Sequence, residues 1–175
     1  MRQGFTLLEL IVTLLILSIV LGWGVPATID LARTMRLQGA AQDTYALLQY
    51  ARSDALSSGE NRFVVWDELN GQWCAAVAET SLCNCLTEDC AIDGVLRQIN
   101  GDDYTGVSYA SAVFAAGDHT RFDAMRGLAE GNAGTVSYQL KSNNNVVEQE
   151  VRVVVSQLGR LRYCQVGGVG SYPAC

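Results

Sequence analysis

Two hydrophobic patterns follow one another along the chain. Leu10 to Ile29 is a run of twenty residues without a charge. Wound as a helix at about 1.5 Å per residue, it reaches ~30 Å, the thickness of a bilayer's hydrocarbon layer. Over residues 28–57 the pattern changes to three- and four-residue steps through Leu37, Ala41, Tyr45, Leu48, Ala51 and Ala55. Arg36, Gln38, Asp43, Gln49, Arg52 and Asp54 take the opposite side, which predicts an amphipathic helix covering a separate body. Ser57-Ser58-Gly59 supplies its stop. Gly22, Gly24 and Pro26 fall where the apolar run ends. The proline removes a backbone hydrogen bond and predicts a kink near residues 22–26. Its alternative reading is that it simply ends an anchor.

Beyond residue 60 the period shortens to two. Arg62–Asp67 and Gln72–Val77 flank Glu68-Leu-Asn-Gly71 and read as a hairpin. Further strands are predicted at Val95–Ile99, Gly106–Phe114, Thr120–Met125, Thr135–Leu140, Val146–Val155 and Arg160–Val166. Asn143-Asn144-Asn145 is a turn between two of them. Residues 78–93 form a long acidic, cysteine-rich interruption. The fold class is therefore α+β: a long N-terminal helix packed on two small antiparallel sheets.

Composition sharpens this. At 175 residues and 18.9 kDa the chain suits one domain with an appended element. Hydrophobic residues at 49% against charged ones at 17% exclude a disordered chain and point to a membrane-embedded part. A net charge of −6 argues against a protein that coats nucleic acid with its whole surface. The charge is uneven, because residues 151–175 hold Arg152, Arg160 and Arg162 and no acid. His119 is the single histidine, which excludes multi-histidine metal sites and disfavours histidine triads. It adjoins Asp118 with no nucleophile in view and reads as an exposed loop residue. Trp23, Trp66 and Trp73 read as interface and core residues. No enzyme and no cofactor is implied.

Glu9 is the discriminating residue. A carboxylate deep in a membrane costs about 2.5–3.5 kcal/mol, and a plain anchor gains nothing from it. A secretory signal peptide would want a small-x-small cleavage site, and Gly24-Val25-Pro26-Ala27 is a poor one. Gly4-Phe5-Thr6-Leu7-Leu8-Glu9 instead resembles the class III signal of type IV pilins and type II secretion pseudopilins. The resemblance implies that a prepilin peptidase cuts between Gly4 and Phe5 and methylates the new amine of Phe5. It also implies that Glu9, fifth in the mature chain, pairs with the amine of a neighbouring subunit during assembly. Tyr50-Ala-Arg-Ser-Asp-Ala55, Phe122 before Gly127, and Val151-Arg-Val-Val-Val-Ser156 leading into Gly159-Arg-Leu-Arg162 resemble the GspH/FimT group of minor pilins and pseudopilins.

That likeness implies a type IV pilin-like fold divided into a leader (1–4), a transmembrane and assembly half-helix (5–27), an amphipathic half-helix (28–58) and a periplasmic head (59–175). It implies a non-enzymatic subunit of the cell inner membrane, single-pass, that enters a pilus or pseudopilus filament and helps initiate or cap it. The implied partners are the prepilin peptidase, other minor pilins or pseudopilins, a major pilin and inner-membrane lipid. The resemblance does not separate the type IV pilus from the type II secretion system.

Cys74, Cys83, Cys85, Cys90, Cys164 and Cys175 all follow the apolar run, so a periplasmic head would expose them to an oxidising compartment. Six cysteines allow fifteen connectivities. The expected set joins Cys164 to Cys175 and pairs the other four among themselves. The alternative, a metal on Cys83, Cys85, Cys90 and Cys74, lacks the usual Cys-x₂-Cys spacing. In Gly159-Arg160-Leu161-Arg162 a strand would aim both arginines to one side, a pair of forks suited to phosphate. In FimT-like proteins linked to DNA uptake a Gly-Arg-x-Arg motif is implicated in DNA binding, and the resemblance implies weak DNA contact through Arg160 and Arg162 here. The plainer reading is a turn into the last strand, with arginines offsetting an acidic body.

Overall fold

Thr6 opens the helix. Its side-chain oxygen accepts the Glu9 N–H at 3.3 Å, satisfying one of the free amides of the first turn. A computed structural model describes residues 6–142, 144–167 and 172–175, without the side chains of residues 23–27. In it α1 runs unbroken from Leu7 to Ser58, 52 residues, and Gly59 caps it in the left-handed region with its N–H on Ala55 O. The kink expected around Pro26 concerns residues whose side chains lie outside that description.

The two halves of α1 differ in what surrounds them. From Leu7 to Val20 every described side chain is exposed. From Leu37 onward a stripe of Leu37, Ala40, Ala41, Leu48, Ala51 and Ala55 is fully buried. Four of these six are alanines, whose small side chains let the sheets approach the helix backbone closely.

Eight strands follow: β1 (Arg62–Leu69), β2 (Gln72–Ala78), β3 (Gln98–Asn100), β4 (Val107–Phe114), β5 (His119–Phe122), β6 (Gly134–Lys141), β7 (Val147–Val155) and β8 (Leu161–Val166). They form two four-stranded sheets, β3-β2-β1-β5 and β4-β6-β7-β8, in which every pairing is antiparallel. The β1–β2 hairpin turns on Asn70 and Gly71, both at positive φ (56° and 86°). That geometry matches the twist of the flanking strands and favours Asn-Gly. The inner face of each sheet packs on α1 and on the other sheet, with Val64, Trp66, Val77, Phe122, Val136 and Val153 in one continuous core.

One hydroxyl joins the three layers. Tyr138 on β6 is fully buried; its OH lies 2.8 Å from Thr44 Oγ1 on α1 and accepts the indole N–H of Trp66 on β1 at 3.1 Å. Thr44 also donates to Ala40 O, so either hydroxyl hydrogen has an acceptor. At the far end of α1 the buried Arg62 guanidinium binds Asp54 at 2.5 Å and Glu60 at 2.8 Å. This ties β1 back to the helix it has just left.

The 78–93 interruption has a structural role. Cys74–Cys85 and Cys83–Cys90 fold it over the outer face of the first sheet. There Val65, Cys74, Ala76, Ala78, Cys85 and Cys90 form a second small core. Asp67, beside it, accepts the Cys85 N–H at 2.9 Å. Burial raises the Asp67 carboxyl above its ordinary range, Asp118 and Glu88 push the same way, and the Cys85 N–H opposes them.

Strand boundaries depart from the sequence pattern in two places. β3 begins at Gln98 rather than Val95, because Asp93 and Gly94 make a tight turn bridged between Ile92 and Val95. β5 ends at Phe122 rather than Met125, because the Asp123 carboxylate gathers the N–H groups of Met125, Arg126 and Leu128 into a turn. Those three hydrogen bonds, Arg126's foremost, hold the Asp123 carboxyl below its ordinary range. Asn143 of the expected Asn turn lies outside the described residues, while its neighbours close the turn through Asn145 N–H to Ser142 O.

Tyr138→Phe keeps the ring and strands the buried Trp66 N–H. It should lower stability by about 1–3 kcal/mol in denaturant unfolding followed by tryptophan fluorescence. Asp67 gives a pH test. Its folded-state pKa is raised, so the native chain holds that proton more tightly than the unfolded one, and the ionised group weakens the fold at neutral pH. Asp67→Asn keeps an acceptor for Cys85 N–H. It should be the more stable protein at pH 7, with the difference fading as pH falls toward the ordinary carboxylate range near about 4.

Candidate functional site

Two surfaces bear on function. The first is the N-terminal half of α1. Leu7, Leu8, Leu10, Ile11, Leu14 and Leu15 are 54–78% exposed, an apolar surface on every side of the helix that no described residue of this chain covers. Glu9 sits in the first turn of that surface, exposed among leucines. A carboxylate there is favoured by the free amides at the helix N-terminus. It is three residues from the N-cap Thr6, so the single carboxylate of this stretch stands at one end of an otherwise apolar rod. Gly4 and Phe5 themselves lie outside the described residues. Among the described residues no helix is long and apolar enough to cross a membrane. The stretch Leu7–Gly22 has sixteen residues, about 24 Å of helix.

The second surface is built around the Gly159 turn. Gly159 is at φ 70°, and a Cβ there would strike the carbonyl oxygen of Gly127 and crowd the Arg52 guanidinium. Arg52, from the penultimate turn of α1, donates through Nε to Gly127 O at 3.0 Å. Helix, 123–128 turn and 156–160 turn thus meet at one point, and glycine at 159 is required by both conformation and space. Ser156 completes the turn by accepting the Arg160 N–H at 3.0 Å through its hydroxyl.

Chain direction then fixes the arginines. Leu161 is buried on β8, so Arg160 and Arg162 on either side of it are exposed and share the outer face of the second sheet. Neither makes an ion pair among the described residues. Arg162 faces Val154 across the ladder, and Arg152 is two residues further along that strand on the same face. Arg152 Nε binds Glu150 at 2.5 Å. Together with Thr135, Arg152 and Arg162 line a cavity of about 330 Å³ closed on one side by the Cys164–Cys175 loop. This face offers forked cations and a hydroxyl, groups that suit phosphate or carboxylate.

The tail itself is held firmly. Cys164–Cys175 closes it, Gln165 exchanges backbone hydrogen bonds with Pro173 and Cys175, and Tyr172 stacks on Tyr163 at 4.9 Å. Tyr163 stacks in turn on Tyr45 of α1 at 4.6 Å, and burial pushes its hydroxyl up to about 12.

All six cysteines are in disulfides, so none offers a thiolate to a metal. Asp67, Cys74 and Cys85 lie close enough to mimic a ligand set, but both sulfurs belong to one disulfide. His119 is not the exposed loop residue its neighbours suggested. It opens β5, is 17% exposed, packs at 5.9 Å from the Phe63 ring and lies 3.6 Å from Asp118. Two further cations were given no role of their own by the sequence. Arg152 was hidden by its place in a valine run, though strict alternation through Val151, Val153 and Val155 puts it outward with Arg162. Arg121 on β5, whose buried Nε finds no partner, carries no motif at all.

Comparison with known proteins adds four findings. No curated protein matches the chain. The prokaryotic N-terminal methylation motif matches residues 1–25. A crystal structure of the type IV minor pilin FimU from Pseudomonas aeruginosa is similar at 22% identity and TM-score 0.49, over 72% of this chain and 86% of that one. The model of the family described as type II transport protein GspH matches residues 40–159, which take in the head-packed half of α1, both disulfides of the first sheet, the Arg52–Gly127 contact and the Gly159 turn. By these two sequence matches the chain belongs to the GspH family and carries the prokaryotic N-terminal methylation motif.

Proposed function

We propose that this chain is a minor pilin: a non-enzymatic subunit, anchored by α1 in the inner membrane with its head in the periplasm, that helps initiate or cap type IV pilus assembly. The carrying observation is the division of one helix into an embedded half and a bare apolar half with Glu9 at its tip. A surface of that size needs a cover, and the covers are lipid before assembly and the helices of other pilins after it. Prepilin peptidase cuts after Gly4 and methylates Phe5. The resulting cation and Glu9 attract strongly only when both leave water together, so their pairing favours correct register between subunits. The same parts serve a type II secretion pseudopilus, and the family description names that machine.

Glu9→Ala separates processing from assembly. Intact-mass measurement on membranes should find the variant cut at Gly4 and methylated like the parent, while electron microscopy finds surface pili lost. Pili at parental number in Glu9→Ala cells would remove the assembly role. Normal pili in a strain lacking the whole chain, with secretion impaired, would transfer the protein to the secretion system.

A second reading, DNA contact during uptake, is favoured by Arg160 and Arg162 standing exposed and unpaired on one sheet face. Few phosphates are in reach, so binding is weak, independent of sequence and steeply dependent on salt. Arg160→Glu with Arg162→Glu should reduce retention of duplex DNA at least about tenfold at low salt, with pili unchanged. Equal retention by variant and parent would dismiss this reading and leave the assembly role intact.

A further inference from the structure

The β6–β7 hairpin reaches back along α1 toward the apolar run. β7 is pinned to the helix near its start, where Gln149 donates to Thr34 Oγ1 at 3.3 Å. Past its other end, the 156–160 turn packs on Arg52. Thr34 to Arg52 is about 27 Å of helix and Gln149 to Ser156 about 23 Å of strand, so β7 and α1 run side by side in the same direction. Val146 precedes Gln149 by about 10 Å of strand, which carries it beyond Thr34 toward the helix N-terminus by about seven helical residues. The hairpin tip therefore stands beside the last residues of the uncharged run, which ends at Ile29.

The make-up of the tip suits that place. Every residue from 144 to 148 is exposed. Successive residues entering a strand face opposite sides, yet Val146 and Val147 are both exposed, at 62% and 45%. The core stops short of them, at Leu140, which is buried on β6 opposite Gln149. At the same height α1 presents Ile29 and Leu31, 54% and 55% exposed, so helix and hairpin form one apolar band. The turn also closes its own backbone. Ser142 N–H donates to Val146 O and Asn145 N–H to Ser142 O, both at 2.9 Å, and Asn144 N–H donates to Ser142 Oγ at 3.3 Å. A loop entering the poorly hydrated zone beneath lipid headgroups needs its amides satisfied in this way. Charge is near balance there, with Arg33, Arg36 and Lys141 against Asp30 and Glu148. The Asp102–Asp103 turn stands higher, since Tyr104 beside it meets α1 at Gly39 and Asp43. Height and apolar character, not charge, therefore select the occupant.

We infer that the β6–β7 tip is a second membrane contact, with Val146 and Val147 dipping into the headgroup layer of the bilayer that holds α1. This rests on the reading of α1 as a membrane anchor and adds to it. A single helix leaves the head free to swing about the point where it emerges. A foothold beside that point fixes tilt and rotation, and turns the Arg52 end of the head away from lipid. A subunit that starts or caps a filament waits in the membrane before any neighbour holds it, so lipid sets its bearing. Two valines make a shallow contact, which lifting into a filament can release.

The test places full-length protein in vesicles of phosphatidylethanolamine with a minor share of phosphatidylglycerol. A nitroxide is carried on a non-natural residue at position 146, 125 or 15, so the cysteines stay paired. Collision with oxygen relative to a water-soluble nickel chelate reads depth. The ratio at position 146 should exceed that at 125 at least about fivefold and stay constant as protein is diluted in lipid. Val147→Asp, with the label still at 146, should bring the ratio to within about twofold of the position 125 value. Circular dichroism melting confirms that the variant head is folded. An aqueous reading at 146 overturns the inference, as does indifference to Val147→Asp. A high ratio that vanishes on dilution means that a second copy covers the tip, and it overturns the inference too. Position 15 reports the anchor separately. Lipid at 15 with water at 146 refutes the tip contact alone, whereas water at 15 with lipid at 146 refutes the anchor reading and leaves the tip contact standing.

Discussion

The Tyr138 hydroxyl is the point on which the head is organised. It is reached from the helix by Thr44 and from the first sheet by Trp66, while its own ring belongs to the second sheet. In a site that excludes water, an unpaired hydroxyl or indole N–H is costly, so the three layers must keep their relative register for all of these groups to be satisfied. Apolar packing alone tolerates sliding; this network does not. Alanines along α1 serve the same end, since a larger side chain at position 40, 41, 51 or 55 would hold the sheets away from the distance at which Thr44 reaches Tyr138.

With the core so fixed, the functional surfaces follow from what is left over. α1 spends its C-terminal half on the core, and its N-terminal half stands clear of the head. The two terminal turns that close the sheets at the helix's far end converge on Arg52, and the Gly159 close contact sets where β8 begins. Because β8 begins there, Leu161 points in and the flanking arginines point out. The GspH family match runs from residue 40 to residue 159, so it takes in Arg52, Gly127 and Gly159 and stops before Leu161 and its flanking arginines.

Much of this was legible in the sequence because it rests on local period. The 3.6-residue stripe through Leu37, Leu48 and Ala55, the Gly59 cap, the Asn70-Gly71 turn and the two-residue alternation of β6 and β7 are each a property of a short segment. Two sheets on one helix followed from counting such segments. What escaped was of two kinds, turn chemistry that trims the strand ends and contacts between distant segments. Asp123 ends β5 early by collecting three amides from residues ahead of it, and Asp93-Gly94 delays β3. His119 is covered because Phe63, far off in the chain, packs its ring beside it. Cys164–Cys175 was expected and is found, as is pairing among the other four cysteines; which of those four joins which, and the orphaned nitrogen of Arg121, depend on which strands become neighbours. For Glu9 the reverse holds: sequence context made it conspicuous, while the folded chain alone leaves it exposed on a bare helix.

One consequence of the cysteine placement is mechanical. All six cysteines lie beyond residue 73, so no covalent crosslink joins α1 to the sheets. The sole chain connection is the short link after Gly59, at the end of the helix remote from residue 7. A pull applied along α1 from its N-terminus therefore reaches the sheets as shear across the alanine-lined interface before it loads that link. The disulfide-bound loops sit outside this path and bear none of the tension. Resistance to extraction is set by how well small side chains and one buried hydroxyl interlock, and the staples protect the shape of the head rather than its grip on the rod.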